Sequence, residues 1–227
     1  MLQTQTISEA TLALIKRLML DKHLQDFYLV GGTALALQLG HRISIDIDLF
    51  TGNDFGAPKM CDYLVDEYKA EVSYVETNTF LGYIDDVKVD LIAHKYPLIN
   101  PVGSVDGIRM VSLKDIAAMK FNAIVQDGSR LKDFVDVSCL LQHFSLQSML
   151  EAYEKKYKEV SGEIAKKALL YHEDIDFTVP IAYMKKRQQK WDEIKTQLEK
   201  AVQFPDRLIP YAKKQKRTIG KGKKPKL

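Results

Sequence analysis

The sequence predicts an α+β fold in which a small mixed sheet with helices is followed by a C-terminal helical bundle. Short apolar runs and alternating runs, both typical of strands, occur only in the first half of the chain. Apolar residues at helical spacing dominate from residue 112 to residue 204. With 227 residues, of which 46% are hydrophobic and 28% charged, the chain can bury a core and is unlike a disordered or collagen-like sequence.

Apolar periodicity predicts helices and strands that alternate before residue 100. The helices are expected over 7–21, 34–39 and 58–70, and the strands over 27–30, 43–50, 72–76, 80–84 and 87–93. Gly40 ends the second helix. Asp85 and Asp86 form the turn between the last two strands.

The rest of the chain is predicted to be helical. Ser112 begins a helix, with Asp115 at the spacing of a capping box. Ser129 begins another helix that runs to about residue 143. A helical pattern then extends over 146–204, with a break at 174–180. The chain is thus expected to divide into a mixed core domain over 1–110, a helical domain over 111–212 and a tail over 213–227.

Several classes of protein are excluded by these patterns. No apolar run approaches the ~18–20 residues of a membrane span, and the polar start of the chain lacks the features of a signal peptide. The two cysteines, Cys61 and Cys139, have no CxxC spacing and cannot form a disulfide framework. No P-loop motif occurs, and the histidines lack zinc-ligand spacing. The sequence therefore predicts a cytoplasmic protein.

The tail over 213–227 carries eight basic residues and no acidic one. Since the whole chain has a formal net charge of +3, residues 1–212 carry −5. Such a tail is expected to be disordered alone. It is expected either to bind a polyanion such as RNA by counterion release or only to aid solubility.

Two short patterns between residues 28 and 50 indicate a phosphate and metal site. Gly31 and Gly32 follow a strand and precede a helix, which lets backbone N–H groups approach a phosphate. Asp46 and Asp48 lie on one face of the next predicted strand, with Cα atoms roughly 6.5–7 Å apart. Both carboxylates can therefore reach one Mg²⁺ ion. The alternative is a solvent-facing edge strand with a plain polar face.

The stretches LVGGTALALQLGHR over 29–42 and SIDIDLF over 44–50 resemble the nucleotidyltransferase AbiEii toxin family, of the polymerase-β-like nucleotidyltransferase superfamily. The resemblance implies a nucleotidyltransferase-type sheet, with 1–110 as the nucleotidyltransferase core. It also implies that Gly31, Gly32 and Thr33 hold the triphosphate of an NTP, and that Asp46 and Asp48 are catalytic metal ligands for Mg²⁺, with Mn²⁺ as an alternative.

Further site residues follow from the same resemblance. Asp90 matches the third carboxylate of the superfamily and would bind metal or accept the proton of the incoming hydroxyl; alternatively it forms an ion pair with Lys88. Arg42 and Ser44 are assigned to nucleotide binding. For Arg42, contact with phosphates, a bridge to Asp48 and a structural ion pair all stay open.

A lysine and two aspartates complete the predicted site. Lys120 falls within the apolar stripe of its helix, so it either snorkels to water or faces a cleft that holds an anion. The resemblance favours contact with the nucleotide phosphate. Asp133 and Asp136 match the family's last motif and need partners such as Lys120 or Arg130. Which of them is functional is left open, with Asp136 favoured, and Asp133 has the alternative of a helix-start residue.

The resemblance predicts transfer of a nucleoside monophosphate from an NTP to an acceptor hydroxyl. Related toxins pair with an antitoxin, and some act on tRNA 3′ ends, so an RNA acceptor and a cognate antitoxin are the expected partners. One alternative is a small-molecule nucleotidyltransferase of the aminoglycoside-modifying kind. The other is a nucleotide-binding or RNA-binding module without catalysis, against which the Asp46 and Asp48 pair argues.

Overall fold

The computed structural model describes residues 1–185 and 187–211, so the predicted tail over 213–227 lies outside the described residues. The N-terminal part contains α1 (Glu9–Leu20), β1 (Tyr28–Leu29), α2 (Gly31–Leu39), β2 (Ile47–Thr51), α3 (Ala57–Tyr68), β3 (Glu71–Glu76), β4 (Thr79–Ile84), β5 (Val87–Ala93), β6 (Gly103–Val105) and β7 (Ile108–Met110). The C-terminal part contains α4 (Leu113–Gln126), α5 (Leu131–Leu140), α6 (Leu146–Lys156), α7 (Gly162–Leu170) and α8 (Trp191–Gln203). The predicted order of a mixed sheet followed by helices is confirmed.

The strands form one mixed sheet in the order β3-β4-β5-β2-β1-β7-β6. β2 runs parallel to β5 and β1 runs parallel to β7, whereas the other neighbours are antiparallel. On β2 and β5, Ile47, Leu49 and Leu91 are buried in the core. Because successive side chains of a strand alternate, Asp48 and Asp90 lie on the opposite face, which borders the cleft described below.

A continuous hydrophobic core joins the sheet part to the helical part. α4 packs against α5, α6 and α7, and also against α2. Its buried residues Ile116 and Phe121 belong to the same cluster as Leu35 of α2. The Ser112 hydroxyl caps α4 by accepting from the Asp115 N–H, as the sequence predicts. The predicted domain boundary falls between β7 and α4, where it stays a prediction.

The strand predicted over 43–50 is wrong in its first half, because β2 begins only at Ile47. The backbone before it has other partners: the Ile43 N–H donates to the Ala182 carbonyl at 2.7 Å. Ile45, which alternation places on the apolar face, is 69% exposed. A distant segment has therefore replaced the ladder that local alternation predicts.

The distant segment around Ala182 belongs to a non-helical stretch that is longer than the sequence predicts. In place of the break over 174–180, the described residues between 171 and 190 are non-helical. Tyr183 pairs with Arg42, and the Met184 N–H donates to the His41 carbonyl at 3.3 Å. Among the described residues, no helix is long and apolar enough to cross a membrane.

Candidate active site

A cleft of about 370 Å³ lies between the sheet and helices α2, α4 and α5. It brings together most of the residues that the sequence singles out. Those that line it are Gly31, Gly32, Arg42, Ser44, Asp46, Asp48, Asp90 and Lys120. Thr33, Asp133 and Asp136 do not line the cleft, and they act from behind its walls through the contacts described below.

The two glycines let charged side chains approach the start of α2. A Cβ on Gly31 would lie 2.4 Å from Asp48 Oδ2, and a Cβ on Gly32 would lie 2.4 Å from Arg42 Nη2. Gly31 also has a φ of 66°, which L-residues rarely adopt. Among residues 1–185 and 187–211 no side chain caps this helix, so the first N–H groups of α2 are available to an anion at the cleft.

Thr33 positions the residues that precede β2. It is buried, and its hydroxyl lies within hydrogen-bonding distance of Ser44 Oγ, at 2.9 Å, and of the Asp46 carbonyl oxygen. These contacts tie the first turn of α2 to the irregular segment that carries Asp46. Thr33 therefore acts on the site through Ser44 and Asp46, and its side chain is not free to bind a triphosphate.

The sheet side of the cleft carries three carboxylates, Asp46, Asp48 and Asp90, which we call the sheet-side carboxylates. Asp48 is the direct neighbour of Asp90 in the parallel β2–β5 register. Lys88 donates to Asp90 Oδ2 at 2.7 Å, but Asp90 Oδ1 is buried and has no hydrogen-bond partner in the described part of the chain. Lys132 lies 3.5 Å from Asp46.

Asp48 has the least compensated charge of the three. Within the described residues its carboxylate forms no ion pair and accepts no side-chain hydrogen bond. Burial and the neighbouring Asp90 carboxylate raise the pKa of Asp48 above its ordinary value. A raised pKa means that the negative charge is disfavoured there until a cation arrives.

The chemistry and the placement of these residues decide whether they fit a divalent cation. In the part of the chain that the structure describes, no three histidine, cysteine or acidic side chains stand together as a ready-made metal site. Asp48 and Asp90 nevertheless line the same cleft, and within the described residues Asp90 Oδ1 has no hydrogen-bond partner. Oxygen donors of this kind are those that Mg²⁺ prefers, together with phosphate oxygens. The donor set fits a cation that arrives with a nucleotide.

The helix side of the cleft carries a buried charge network, formed by His41, Arg42, Lys120, Arg130, Asp133 and Asp136, which we call the helix-side network. Arg42 donates to both Asp136 oxygens, at 2.7 and 2.8 Å. Lys120 lies 2.7 Å from Asp136 and 2.6 Å from Asp133. His41 Nε2 is bonded to Asp136 at 2.7 Å. Arg130 bonds Asp133 at 2.8 Å.

This network decides between alternatives that the sequence leaves open. Lys120 is only 5% exposed and does not snorkel to water. Arg42 forms its ion pair with Asp136 and not with Asp48. Burial alone would raise the pKa of Asp136, but Arg42 and Lys120 hold it well below its usual range. Burial lowers the pKa of Lys120, whereas the Asp136 and Asp133 carboxylates raise it, and the net effect is an increase. Both partners are therefore charged.

Two cleft residues, Lys88 and Lys132, were not predicted as site residues. Lys88 and Asp90 are two residues apart on β5 and therefore share one face of the strand. This spacing is a signal in the sequence that could have identified Lys88. Lys132 lies in the first turn of α5 and reaches Asp46 across the cleft. Its contact joins positions far apart in the chain, and no local pattern in the sequence indicates it.

Comparisons with known proteins agree with this arrangement. The family described as nucleotidyl transferase AbiEii toxin, type IV TA system, matches residues 13–84 and 81–199. An uncharacterized protein of Aquifex aeolicus is 33% identical over 193 residues, which are 81% of this chain and 86% of that protein.

Two solved structures from Helicobacter pylori share the fold. JHP933 has a TM-score of 0.51 at 17% identity, and the match covers 88% of this chain and 93% of the JHP933 chain. A second H. pylori structure has a TM-score of 0.50 at 16% identity, over 88% of this chain and 96% of that one. At these identities the likeness concerns the fold alone.

Proposed function

The chain belongs to the AbiEii family of nucleotidyl transferase toxins and is a nucleotidyltransferase, and on this premise we propose that it moves a nucleoside monophosphate from an NTP to a hydroxyl of an RNA acceptor, with Mg²⁺ as cofactor. The family, the nucleotidyltransferase-type fold and the enzyme class predicted from the sequence are confirmed. One observation carries the proposal: Asp48, which has no ion pair within the described residues, lies against the start of α2, and its sheet neighbour Asp90 lines the same cleft.

The triphosphate is assigned to the α2 end of the cleft. The free N–H groups of Gly31 and Gly32, together with the positive end of the helix dipole, suit phosphate oxygens. Arg42 and Ser44 lie beside them on the cleft wall. In the helix-side network Arg42, Lys120 and Arg130 face two carboxylates, so these three side chains bring one positive charge more than Asp133 and Asp136 neutralise.

The sheet-side carboxylates would hold Mg²⁺, and the same oxygen donors accept Mn²⁺. When bound, such an ion neutralises phosphate oxygens and lowers the pKa of a bound hydroxyl. Asp48 and Asp90 have the oxygens free for it, and Asp46 reaches it after release from Lys132.

The residues of the chain itself then position the reactants. The acceptor oxygen forms a bond to the α-phosphorus, the bond to the bridging oxygen breaks, and pyrophosphate leaves with the electron pair. With Oδ1 assigned to the ion, Asp90 Oδ2, once released from Lys88, would accept the hydroxyl proton. Lys120, held by Asp133 and Asp136, stabilises the negative charge that develops on the transferred phosphate.

An RNA acceptor, with the tRNA 3′ end as the favoured case, is supported by charge. The half-exposed Arg130 and Lys132 lie at the cleft, and the tail over 213–227 adds eight basic residues. A toxin role and a cognate antitoxin are proposed from the family alone.

Incubation with each of four labelled NTPs, Mg²⁺ and total tRNA tests the proposal, and we expect label on the RNA from at least one NTP. An aminoglycoside mixture serves as the competing acceptor. Label on the small molecule and none on RNA would overturn the acceptor assignment. Pyrophosphate release with neither acceptor labelled would contradict transfer to both classes.

The tail provides a separate test of the RNA acceptor. Deletion of residues 213–227 removes eight positive charges, so the salt dependence of RNA binding should flatten while NTP binding stays unchanged. Titration of labelled tRNA at low and high salt measures this. Equal RNA affinities for the two forms at both salt concentrations would show that the tail only aids solubility.

A further inference from the structure

The cleft has a second end that the proposed chemistry does not use. Phe50 follows Asp48 by two residues on β2, and Ile92 follows Asp90 by two residues on β5. Phe50 and Ile92 are neighbours in the parallel register, and both line the cleft. The same sheet face therefore changes from charged to apolar within roughly 7 Å.

Two further rings extend this apolar end. The ring centroids of Phe50 and His94 are 5.2 Å apart, and those of His94 and Tyr157 are 5.9 Å apart. His94 Nε2 is bonded to the Tyr157 hydroxyl at 3.1 Å, which fixes both rings. Burial lowers the pKa of His94 to about 4, so its ring is uncharged at neutral pH. We call Phe50, Ile92, His94 and Tyr157 the aromatic end of the cleft.

One face of α4 forms part of the cleft wall across from the sheet. Met119, Asn122 and Ala123 line the cleft at helical spacing. Within the described residues the Asn122 side chain makes no hydrogen bond, although its amide can both donate and accept. An amide with a free donor and a free acceptor matches the polar edge of a nucleobase. Flat rings on one wall and an amide on the other thus suit a planar group with a polar edge.

We propose that the aromatic end is a nucleobase subsite, in which a base stacks on the Phe50 and His94 rings and its edge bonds Asn122. The inference rests on the proposed function, because it gives the transferred or receiving nucleotide its specificity. The base belongs either to the NTP or to the terminal residue of the acceptor RNA.

Equilibrium dialysis with Mg²⁺ separates the base from the phosphates. Each labelled NTP is compared with ribose 5′-triphosphate, which lacks a base. The Kd for ribose 5′-triphosphate divided by the Kd for the NTP measures base recognition. We expect Phe50→Ala and His94→Ala to lower this ratio roughly 5- to 100-fold, as for loss of base–aromatic stacking. Their affinity for ribose 5′-triphosphate should not change, which also shows that each variant is folded. Asn122→Ala should reduce discrimination among the four NTPs.

Tyr171→Ala is the matched control, since Tyr171 is an exposed aromatic residue that does not line the cleft. A second arm compares RNA oligonucleotides with and without a 3′-terminal base. If the variants change only this arm, the acceptor supplies the base. If base removal matters in neither arm, or the variants match the control in both, the subsite is overturned.

Binding requires no turnover, so the two proposals fail separately. A protein that distinguishes bases through these residues but labels no acceptor would contradict the proposed function and leave the subsite standing.

Discussion

The aspartates on the two walls of the cleft differ in how far neighbouring cations neutralise their charge. On the sheet wall, Asp48 has no partner within the described residues and Asp90 keeps one oxygen unbonded. On the helix wall, Asp133 and Asp136 are surrounded by cations, with Lys120 shared between them. Since uncompensated buried charge is costly, the difference teaches that folding alone neutralises the aspartates of the helix side, and it supports the proposed cation site on the sheet side.

The largest effect is expected from a substitution that removes a carboxylate from the helix-side network. Asp136→Asn should lower the free energy of unfolding by about 3–5 kcal/mol, because Arg42 and Lys120 lose their shared carboxylate in a buried site. Urea unfolding measures the loss. Asp62→Asn, on the exposed side of α3, is the control and should change stability by no more than about 0.5 kcal/mol. A similar small change in both variants would contradict the contrast between the walls.

Next in size is the effect of Lys120 on catalysis. Lys120→Met should slow transfer by ~10²–10³, or about 3–4 kcal/mol, because a preorganised charge at the phosphate is lost. It should also destabilise the fold, since Asp133 and Asp136 lose a cation. Single-turnover rates per folded molecule separate the two effects.

Lys120→Arg keeps the charge on a planar group and should rescue stability more fully than rate. Lys16→Met, an exposed change on α1, is the control. Wild-type turnover in Lys120→Met would leave Lys120 a purely structural residue.

Stabilisation by ligand tests the sheet side of the cleft. At a ligand concentration 100 times Kd, Mg²⁺ with NTP should raise the free energy of unfolding by about 2.7 kcal/mol. EDTA should abolish the gain, and Asp46→Asn and Asp48→Asn should lack most of it together with transfer activity. Thermal midpoints with and without ligand provide the measurement. Full stabilisation and full activity in both variants would reject these aspartates as metal ligands.

The smallest effect is expected without any ligand. Asp48→Asn should stabilise the free protein by ~0.2–1 kcal/mol, because it removes a like charge directly opposite Asp90 in the sheet. Denaturant unfolding in EDTA tests the sign. A loss of stability would mean that the Asp48 charge is compensated in the folded protein, so that the walls do not differ as described.

Much of the site was predictable because local patterns determine it. The glycine pair, the alternating acids and the apolar stripe that contains Lys120 are each readable within a few residues, and they meet in one cleft. The pairing of Arg42 with Asp136 was not predictable, since periodicity assigns a residue to a face but not to a partner 94 positions away.

The errors in the fold have the same origin. Alternation over 43–46 is a local signal, but the Ile43 N–H is bonded by the distant Ala182. The hairpin of β6 and β7 was missed although Asp106 and Gly107, both with positive φ, are a common turn pair. A local signal was present there, whereas none exists for the contact with Ala182.

The bonds between residues 41–43 and 182–184 have a consequence for synthesis of the chain. The wall that carries Arg42 is incomplete until residues 182–184 have left the ribosome. At ~5–20 residues per second, this wait is on the order of ten seconds after the acidic strand has emerged. A nascent chain therefore displays the carboxylates of the site before it has a cleft.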